Sequence, residues 1–544
     1  MMVTRRGFMG TVGAAALTAA IGHRAAHAEG NASPRRGGSL VYGIETEPNT
    51  LNPHLNGQAK AKLVLRNIYE SLLARTADGG YVPWLATAYE ISRDGKTYTF
   101  KLRDDVAFSD GEKFDAAAVV LNFTKLKEPQ YSGSISAGYL SYVIEAKAAD
   151  PHTVVLTLDR VYAPFLDGVA SIDILSPRAF ASTQIKAGGP EIAGTGPFIL
   201  DRYVRGQELH LVRNPDYKWS PSSAGHQGPA YLDEVTYRLL PESSVRTGAL
   251  ISGQVDVIEG ISGNDAALFK DNPDFTYQSA LNPGTPYTLY LNTTYGPTKD
   301  VKVRRAVIAA VDVAGIVESI YRRERTRAWG VLTPADKDFY DASIEGSYGF
   351  DPKLANRLLD EAGWTARDAD GFRTKDGARL SIEIVQSQVT LRDQRDVLLQ
   401  ALQAQARQSA GIELILNNVD SGTYAERQKS GKYGAIPNST TNQGNAVTIY
   451  FHYLPPDKGG SINYSRTEAP EITAWLDKAA STLDAKERFA TYAELQRFAI
   501  VEQAFGLPLY VPEDQIAAST KVRGVGFRPF KQLPENAYDI WLDA

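Results

Sequence analysis

Hydrophobic and polar residues alternate along this chain with two different periods. In Tyr98–Leu102 and again in Leu380–Ile384 every second residue is apolar, as in a strand with one buried face. Other stretches have apolar residues at helical spacing. One such stripe consists of Val303, Val307, Ala310, Val311 and Ala314. Strands and helices that alternate in this way predict a mixed α/β protein.

Capping residues add further helices to this prediction. Asp351 is a helix N-cap that precedes an apolar stripe ending at Gly363, and a stripe over residues 397–404 ends at Gly411. Two more helices are predicted in the last hundred residues, and the second of them starts at Asp484. These patterns predict four further helices in the second half of the chain.

The N-terminus has the three parts of a secretory signal. Arg5 and Arg6 precede a short, weakly apolar run over residues 11–22, and Ala26-His27-Ala28 is a small-x-small cleavage motif. The paired arginines indicate export by the twin-arginine route, and an ordinary signal with two chance arginines is the alternative. Residues 1–28 are therefore predicted to be a signal peptide, so that the mature chain starts near Glu29.

Composition narrows the possible classes of function. The chain has 544 residues and no cysteine, which excludes disulfides and thiolate chemistry. Its net charge of −5 becomes −8 once the three arginines of the signal are removed. An acidic chain without a cluster of basic residues binds a phosphate backbone poorly, so no nucleic acid is expected as a partner.

Motifs for catalysis or metal binding were not found in the sequence. The histidines outside the signal have no second His or Glu at metal-ligand spacing, and no nucleophile elbow or Walker loop is present. These histidines are His54, His152, His210, His226 and His452. We therefore expect no catalytic residue, no metal site and no cofactor.

Several long blocks of the sequence resemble one protein family. The blocks are, in order, 82–86 with 94–111, 194–198 with 212–217, 231–256, 291–312 and 348–364. They resemble the family 5 solute-binding proteins, which are the dipeptide, oligopeptide and nickel binders of bacterial ABC importers. Most of their residues, such as Asp110-Gly111 and Trp84, read as turn or core residues. The blocks therefore indicate the family rather than the ligand.

The resemblance implies an α/β, periplasmic binding protein type II-like fold, a two-lobed clamp with an extra small domain. Lobe I is expected from residues 29–78, 195–285 and 512–544, and lobe II from residues 286–511. The additional domain, 79–194, is expected to pack on lobe I. Two crossings, near residues 282–284 and 508–512, would join the lobes as a hinge, and closure would bury the ligand between them.

The resemblance also bears on the ligand. Peptide binders of the family hold the ligand's α-ammonium group with an aspartate of the second lobe, and Asn445 stands at the corresponding position here. An amide carries no charge, which disfavours ordinary peptides unless another acid such as Glu45 substitutes. Stretches 131–136 and 459–463 lack the His and Arg of the nickel pocket, which disfavours nickel. We expect an opine, a modified peptide or another amide- or hydroxyl-bearing solute.

Ligand contacts are expected on both sides of the cleft. The predicted contacts are Glu45, Asn56 and Ser136 on the first side and Asn442, Asn445 and Tyr450 on the second. For Asn442 and Asn445 the alternative is a turn that satisfies its own backbone.

Two classes of function remain open. The first is a periplasmic, monomeric transport receptor that delivers its ligand to an inner-membrane ABC permease. The alternative is an exported protein of the same fold that acts as a sensor partner, a chaperone or a hydrolase.

Overall fold

A computed structural model describes residues 33–543, with the exception of 59, 77–78, 132–133, 323, 442–446, 456–459, 461 and 528–534. The predicted signal peptide and the predicted contacts Asn442 and Asn445 lie outside the described residues. The strands are β1 (Ser39–Ile44), β2 (Leu73–Arg75), β3 (Tyr81–Pro83), β4 (Ala86–Ile91), β5 (Thr97–Leu102), β6 (Val143–Asp150), β7 (Thr153–Leu158), β8 (Phe198–Val204), β9 (Glu208–Arg213), β10 (Glu234–Leu239), β11 (Val257–Glu259), β12 (Phe275–Leu281), β13 (Gly284–Leu291), β14 (Thr326–Arg327), β15 (Ala366–Arg367), β16 (Arg373–Lys375), β17 (Ala378–Arg379), β18 (Ser381–Ser387), β19 (Glu413–Val419), β20 (Ala435–Thr441), β21 (Gly506–Val511), β22 (Glu513–Ser519), β23 (Val522–Arg523) and β24 (Trp541–Leu542).

The α-helices are α1 (Lys62–Leu65), α2 (Ala116–Lys125), α3 (Ile135–Gly138), α4 (Phe165–Val169), α5 (Ser243–Ile251), α6 (Gly263–Lys270), α7 (Val301–Ala309), α8 (Val313–Tyr321), α9 (Pro352–Glu361), α10 (Arg395–Ala410), α11 (Ser421–Ser430), α12 (Val447–Tyr453), α13 (Pro470–Ser481) and α14 (Ala485–Arg497). The predicted α/β class is confirmed. None of the helices in the described part of the chain is both long and apolar enough to cross a membrane.

Three larger sheets organise these elements. A seven-stranded sheet has the order β12-β22-β11-β1-β10-β9-β8, and a six-stranded sheet has the order β14-β21-β13-β20-β18-β19. A four-stranded sheet has the order β4-β5-β7-β6. We call the parts of the molecule built on these sheets the first lobe, the second lobe and the small domain, respectively.

The predicted local patterns are mostly confirmed. Tyr98, Phe100 and Leu102 are buried along β5, as the alternation requires. Helices α9, α10, α13 and α14 occur where capping residues and apolar stripes predicted them, and the Asp351 side chain accepts the Leu354 N–H.

One helix prediction is wrong. The apolar stripe from Val303 to Ala314 is divided between two helices, because α7 ends at Ala309 and α8 begins after Asp312. The Asp312 side chain accepts the N–H of Gly315 and so starts a new helix inside a continuous apolar stripe.

Two adjacent strand connections join the first and second lobes. The chain leaves β12, passes through Asn282 and Pro283, and enters β13; it returns from β21 to β22 through Pro512. The N–H of Asn282 donates a 2.8 Å hydrogen bond to the carbonyl oxygen of Pro512. The two connections therefore lie side by side, where a small backbone rotation would move one lobe relative to the other.

Candidate functional site

Strand ends of the first lobe bring an acidic pair and a lysine together at the edge that faces the second lobe. Strands β1 and β11 run parallel, so Glu45, which follows β1, and Glu259, which ends β11, lie at the same edge. The Glu45 N–H donates to Glu259 Oε1 at 2.8 Å. Lys60 Nζ lies 2.6 Å from Glu45 Oε2 and 2.9 Å from Glu259 Oε2. One ammonium group therefore bridges two carboxylates.

Burial and charge oppose each other in this cluster. Burial disfavours the charge of Lys60, but the carboxylates of Glu259 and Glu45 outweigh it and hold the lysine pKa above its ordinary value. Burial would also raise the pKa of the Glu45 carboxyl, but the positive charges of Lys60 and Arg392 outweigh it and lower that pKa. Asp514 at the start of β22 is fully buried, and burial raises its pKa to about 6. Glu45 and Lys60 are therefore held in their charged forms.

A basic cluster of the second lobe, centred on one loop, faces this edge. The loop joins β18 to α10, and the Asp393 carboxylate lies 3.7 Å from Arg325, 3.8 Å from Arg395 and 3.9 Å from Arg392. Burial alone would raise the Asp393 pKa, but the three arginines lower it to about 2. Arg395 begins α10 and Arg325 precedes β14, so the three cations come from different segments, and together with Asp393 they form a cluster with an excess of positive charge.

The backbone of this loop has an uncommon conformation. Asp393 and Gln394 have φ values of +53° and +54°, although neither is glycine. The side chain of Tyr321 donates to the Asp393 carbonyl oxygen at 2.7 Å, and Arg395 Nε donates to the Tyr510 hydroxyl at 3.0 Å. These contacts hold the loop in a left-handed turn that costs free energy, a feature common at functional sites.

The two clusters meet across the cleft. Arg392 Nη1 lies 3.9 Å from Glu45 Oε1, which is an ion pair without a direct hydrogen bond. The Arg392 side chain keeps 46% of its surface exposed, whereas Glu45 keeps 17%. A second ion pair between the lobes, Lys270 to Glu324 at 2.6 Å, joins α6 to the segment after α8. The cleft is thus bounded by an acidic edge and a basic cluster.

Of the residues predicted from sequence, Glu45 lies in this cluster. Asn56 is buried, and its amide is engaged locally, because Nδ2 donates to the Thr50 carbonyl and Oδ1 accepts the Gln58 N–H, each at 2.8 Å. Ser136 is buried in the short helix α3 of the small domain.

Tyr450 is buried rather than at an open surface. Its hydroxyl donates to the Leu476 carbonyl at 2.8 Å and lies 3.4 Å from the hydroxyl of Tyr492. Its predicted stacking on a ligand stays a prediction, as do the predicted contacts of Glu45, Asn56 and Ser136.

Sequence reasoning did not identify Lys60 and Arg392 as parts of the site. A charged loop directly after the buried strand 380–384 was a signal for Arg392, because strand ends of an α/β sheet commonly form sites. For Lys60 the sequence offered no comparable signal. Its role follows only from the approach of β11 to β1 in the folded chain.

A known protein family matches most of this chain in sequence. The sequence model of the bacterial extracellular solute-binding proteins, family 5 (middle region), matches residues 80–460. The chain therefore belongs to the family 5 solute-binding proteins, and the predicted family and solute-binding class are confirmed.

Individual relatives match over most of their length. The nickel-binding periplasmic protein of Escherichia coli (strain K12) is 27% identical over 488 residues, which are 88% of this chain and 90% of that protein. Protein XP55 of Streptomyces lividans is 31% identical over 480 residues, 86% of this chain and 82% of that protein. The crystal structure of NikA from Brucella suis in complex with Fe(III)-EDTA superimposes with a TM-score of 0.77 at 27% identity, covering 91% of this chain and 98% of that one. The predicted periplasmic-binding-protein fold is thereby confirmed.

Proposed function

We propose that this chain is the periplasmic solute-binding component of an ABC importer, which captures a small polar ligand between its two lobes and delivers it to an inner-membrane permease. The observation that carries the proposal is the approach of Arg392 on the second lobe to Glu45 on the first, at 3.9 Å across the cleft. Membership of the solute-binding family supports it. The chain binds and releases its ligand without transforming it, and it acts as a monomer.

The hinge allows the two lobes to close on a ligand and to open again. Both lobes are held by their own sheets, and the connections between them are the two adjacent crossings at Asn282–Pro283 and Pro512. A ligand that touches both lobes binds the closed form more tightly than the open form, so it shifts the population toward closure. The permease then distinguishes closed from open protein by shape.

The proposed division into domains follows the strands of each sheet. Strands over residues 39–44, 198–281 and 513–519 build the first sheet, and those over 284–511 build the second, apart from β15 to β17, which form a small sheet of their own. Strands β4 to β7 of the small sheet fall between residues 86 and 158. This distribution supports lobe I at 29–78, 195–285 and 512–544, the additional domain at 79–194 and lobe II at 286–511. Residues 1–28 are proposed to direct export to the periplasm by the twin-arginine route.

Charge at the cleft favours a ligand with both polar and charged groups. Arg392 is half exposed and makes no hydrogen bond to Glu45 at 3.9 Å, so an anionic group of a ligand could pair with it at little cost in desolvation. Peptide-like solutes and opines carry carboxylates together with amides or hydroxyls. We therefore propose this ligand class over bare metal ions.

Native mass spectrometry of freshly purified protein is the first test, because a closed clamp retains its ligand. We expect a mass excess that disappears on denaturation, and the mass then identifies the solute. Calorimetry against a panel of dipeptides, opines and nickel chelates follows, with the wild type and Arg392→Gln. Arg392→Gln should weaken binding of the carboxylate-bearing member by about tenfold.

A matched control removes a cation elsewhere on the first lobe. Arg202 of the edge strand β8 forms an exposed ion pair with Glu208 of β9 at 2.7 Å, β10 and β9 separate β8 from β1 in the sheet, and Arg202→Gln should leave binding unchanged. Absence of any retained mass together with absence of binding across the whole panel would reject solute capture. Equal weakening by both variants would reject the role of Arg392.

A further inference from the structure

The small domain also touches the second lobe, through contacts that involve none of the ionic groups described above. The contact is formed by Tyr142, Tyr162 and Ala163 of the small domain and by Tyr450, Ala480 and Tyr492 of the second lobe; we call it the tyrosine seam. We propose that the tyrosine seam is a closing contact, formed when the clamp shuts and broken when it opens. The proposal rests on the proposed function, since it presupposes a clamp that opens and closes.

A main-chain hydrogen bond lies at the centre of the seam. The N–H of Ala163 donates to the carbonyl oxygen of Ala480 at 2.7 Å. Ala480 belongs to the last turn of α13 (Pro470–Ser481), where carbonyl groups have no partner within their own helix. The small domain thus supplies a donor to a helix end of the other lobe, and this bond is lost when the two parts separate.

Aromatic side chains surround this bond. The rings of Tyr142 and Tyr162 lie 4.7 Å apart, and Tyr162 is 5% exposed. On the other side, the hydroxyl of Tyr450 lies 3.4 Å from that of Tyr492. Tyr162, Tyr450 and Tyr492 are all buried, and burial raises the pKa of Tyr162 well above its ordinary value. The tyrosines of both parts therefore belong to one continuous buried cluster.

A third contact extends the seam toward the predicted ligand-binding face. A side chain added at Gly138 in α3 would meet the ring of Phe451 at 3.8 Å. Gly138 is two residues from Ser136, and Phe451 follows Tyr450, so the seam includes one residue predicted to contact the ligand and borders another. Formation of the seam would close that end of the cleft.

Chain connectivity explains why opening must break these contacts. Both ends of the small domain join the first lobe: the Ala86 N–H donates to the Leu72 carbonyl at 2.9 Å, and the Ile174 N–H donates to the Glu70 carbonyl at 2.8 Å. Lys62 of the first lobe also forms a 2.8 Å ion pair with Asp173. The small domain therefore moves with the first lobe, while the hinge lies at Asn282–Pro283 and Pro512. A rotation there separates Ala163 from Ala480.

Engineered cysteines test the seam directly, because the chain contains no cysteine of its own. With a 2.7 Å N···O distance, standard bond lengths limit the Cα–Cα separation of Ala163 and Ala480 to at most about 6.6 Å, within the range of a disulfide. Ala163→Cys with Ala480→Cys should therefore crosslink under mild oxidation or with a short bismaleimide, without any added solute. Ala163→Cys with Ser481→Cys is the matched control, because Ser481 is exposed and adjacent, and it should crosslink more slowly.

Weakening the seam should open the clamp. Adding Tyr162→Ala to the crosslinking pair should slow disulfide formation by about tenfold and increase the radius of gyration of the reduced protein in solution scattering. Tyr162→Phe keeps the ring and should crosslink at nearly the original rate. Phe451→Ala weakens the seam from the other lobe and should act in the same direction, which keeps the test valid if Tyr162→Ala impairs folding of the small domain.

The outcomes separate this proposal from solute binding itself. No crosslink in the Ala163–Ala480 pair, or an equal rate in the control pair, would overturn the seam. An unchanged rate and radius of gyration in both Tyr162→Ala and Phe451→Ala would show a static junction and would also overturn it. Failure of solute binding would instead appear in the native mass spectrum of the wild type, which does not depend on the seam.

Discussion

The N–H of Asn282 and the carbonyl oxygen of Pro512 are joined by a 2.8 Å hydrogen bond, which ties the two crossings between the lobes to each other. The carbonyl of Asn282 in turn accepts a 2.6 Å hydrogen bond from the hydroxyl of Thr333. Next to it, the Asp336 carboxyl accepts the N–H of Gly284. A segment of the second lobe therefore braces the first crossing from one side.

Removing the brace should destabilise the protein. Thr333→Val keeps the shape of a fully buried side chain but leaves the Asn282 carbonyl without its donor, which should cost about 1–3 kcal/mol of unfolding free energy. Thr333→Ser retains the hydroxyl and should cost less. Urea denaturation of both variants measures the difference, and equal midpoints would show that the hydroxyl does not support the hinge.

Two buried acids should make the stability depend on pH. Burial raises the pKa of Glu70 from 4.5 and that of Asp336 from 3.8, each to about 8. The folded protein therefore holds protons that the unfolded chain releases, so the unfolding free energy should fall as the pH rises from about 4.5 to 8. The fall should amount to about 2–5 kcal/mol for each group.

Amide substitutions check this pH dependence. Glu70 accepts hydrogen bonds from Tyr217, Trp219 and Thr195, and Glu70→Gln can satisfy all three if the Tyr217 hydroxyl reverses its role. Denaturation from pH 5 to pH 8 should give a flatter profile for Glu70→Gln combined with Asp336→Asn than for the wild type. Parallel profiles would show that groups other than Glu70 and Asp336 cause the pH dependence of the stability.

The left-handed turn before α10 should carry strain that glycine relieves. Gln394 has φ +54° at the N-cap position of α10, where a side chain with Cβ is disfavoured. Gln394→Gly should raise the unfolding free energy by about 0.5–1 kcal/mol. Gln400→Gly, at an exposed position in the same helix, should instead lower it by about 1 kcal/mol. If thermal melting showed that both variants change the unfolding free energy in the same direction, that result would argue against strain at Gln394.

Local patterns predicted most of the fold because each depends on neighbours in sequence. Tyr98, Phe100 and Leu102 alternate because one face of β5 is buried, and a period of two can be seen without knowing what covers it. The division between α7 and α8 was missed because Val311 and Ala314 continue the apolar stripe of Val303. An N-cap at Asp312 was the contrary signal, and it overrode the periodicity.

The candidate site was less predictable because its parts come from distant segments. Glu45 could be placed at a strand end from sequence, but its partners depend on which strands become neighbours in space. Lys60 and Glu259 reach it through the pairing of β1 with β11, and Arg392 reaches it through the juxtaposition of the two lobes. Neither relationship leaves a pattern in the linear sequence.

Export should depend on the paired arginines of the signal. A twin-arginine receptor reads these side chains as an address, so replacing Arg5 and Arg6 with lysines should leave unprocessed precursor in the cytoplasm even though the charge is kept. Cell fractionation and the mass of the mature N-terminus measure the outcome. Arg24→Lys is the matched control and should be exported normally. Normal processing of the double variant would indicate the general secretory route.

Binding should also depend on Asn445, which the family resemblance predicts to stand where peptide binders carry an aspartate. If its amide bonds a buried ligand group, Asn445→Ala should cost about 1–3 kcal/mol, roughly five- to more than a hundredfold in affinity. Asn445→Asp restores a negative charge and should favour solutes with a free α-ammonium group, because a buried ammonium needs a counter-ion. Calorimetry of both variants against dipeptides, opines and nickel chelates measures the change, with the exposed helical variant Asn264→Ala as the control. Tight binding of a plain dipeptide by the wild type, unaltered in Asn445→Ala, would mean that the loop neither contacts the ligand nor excludes peptides.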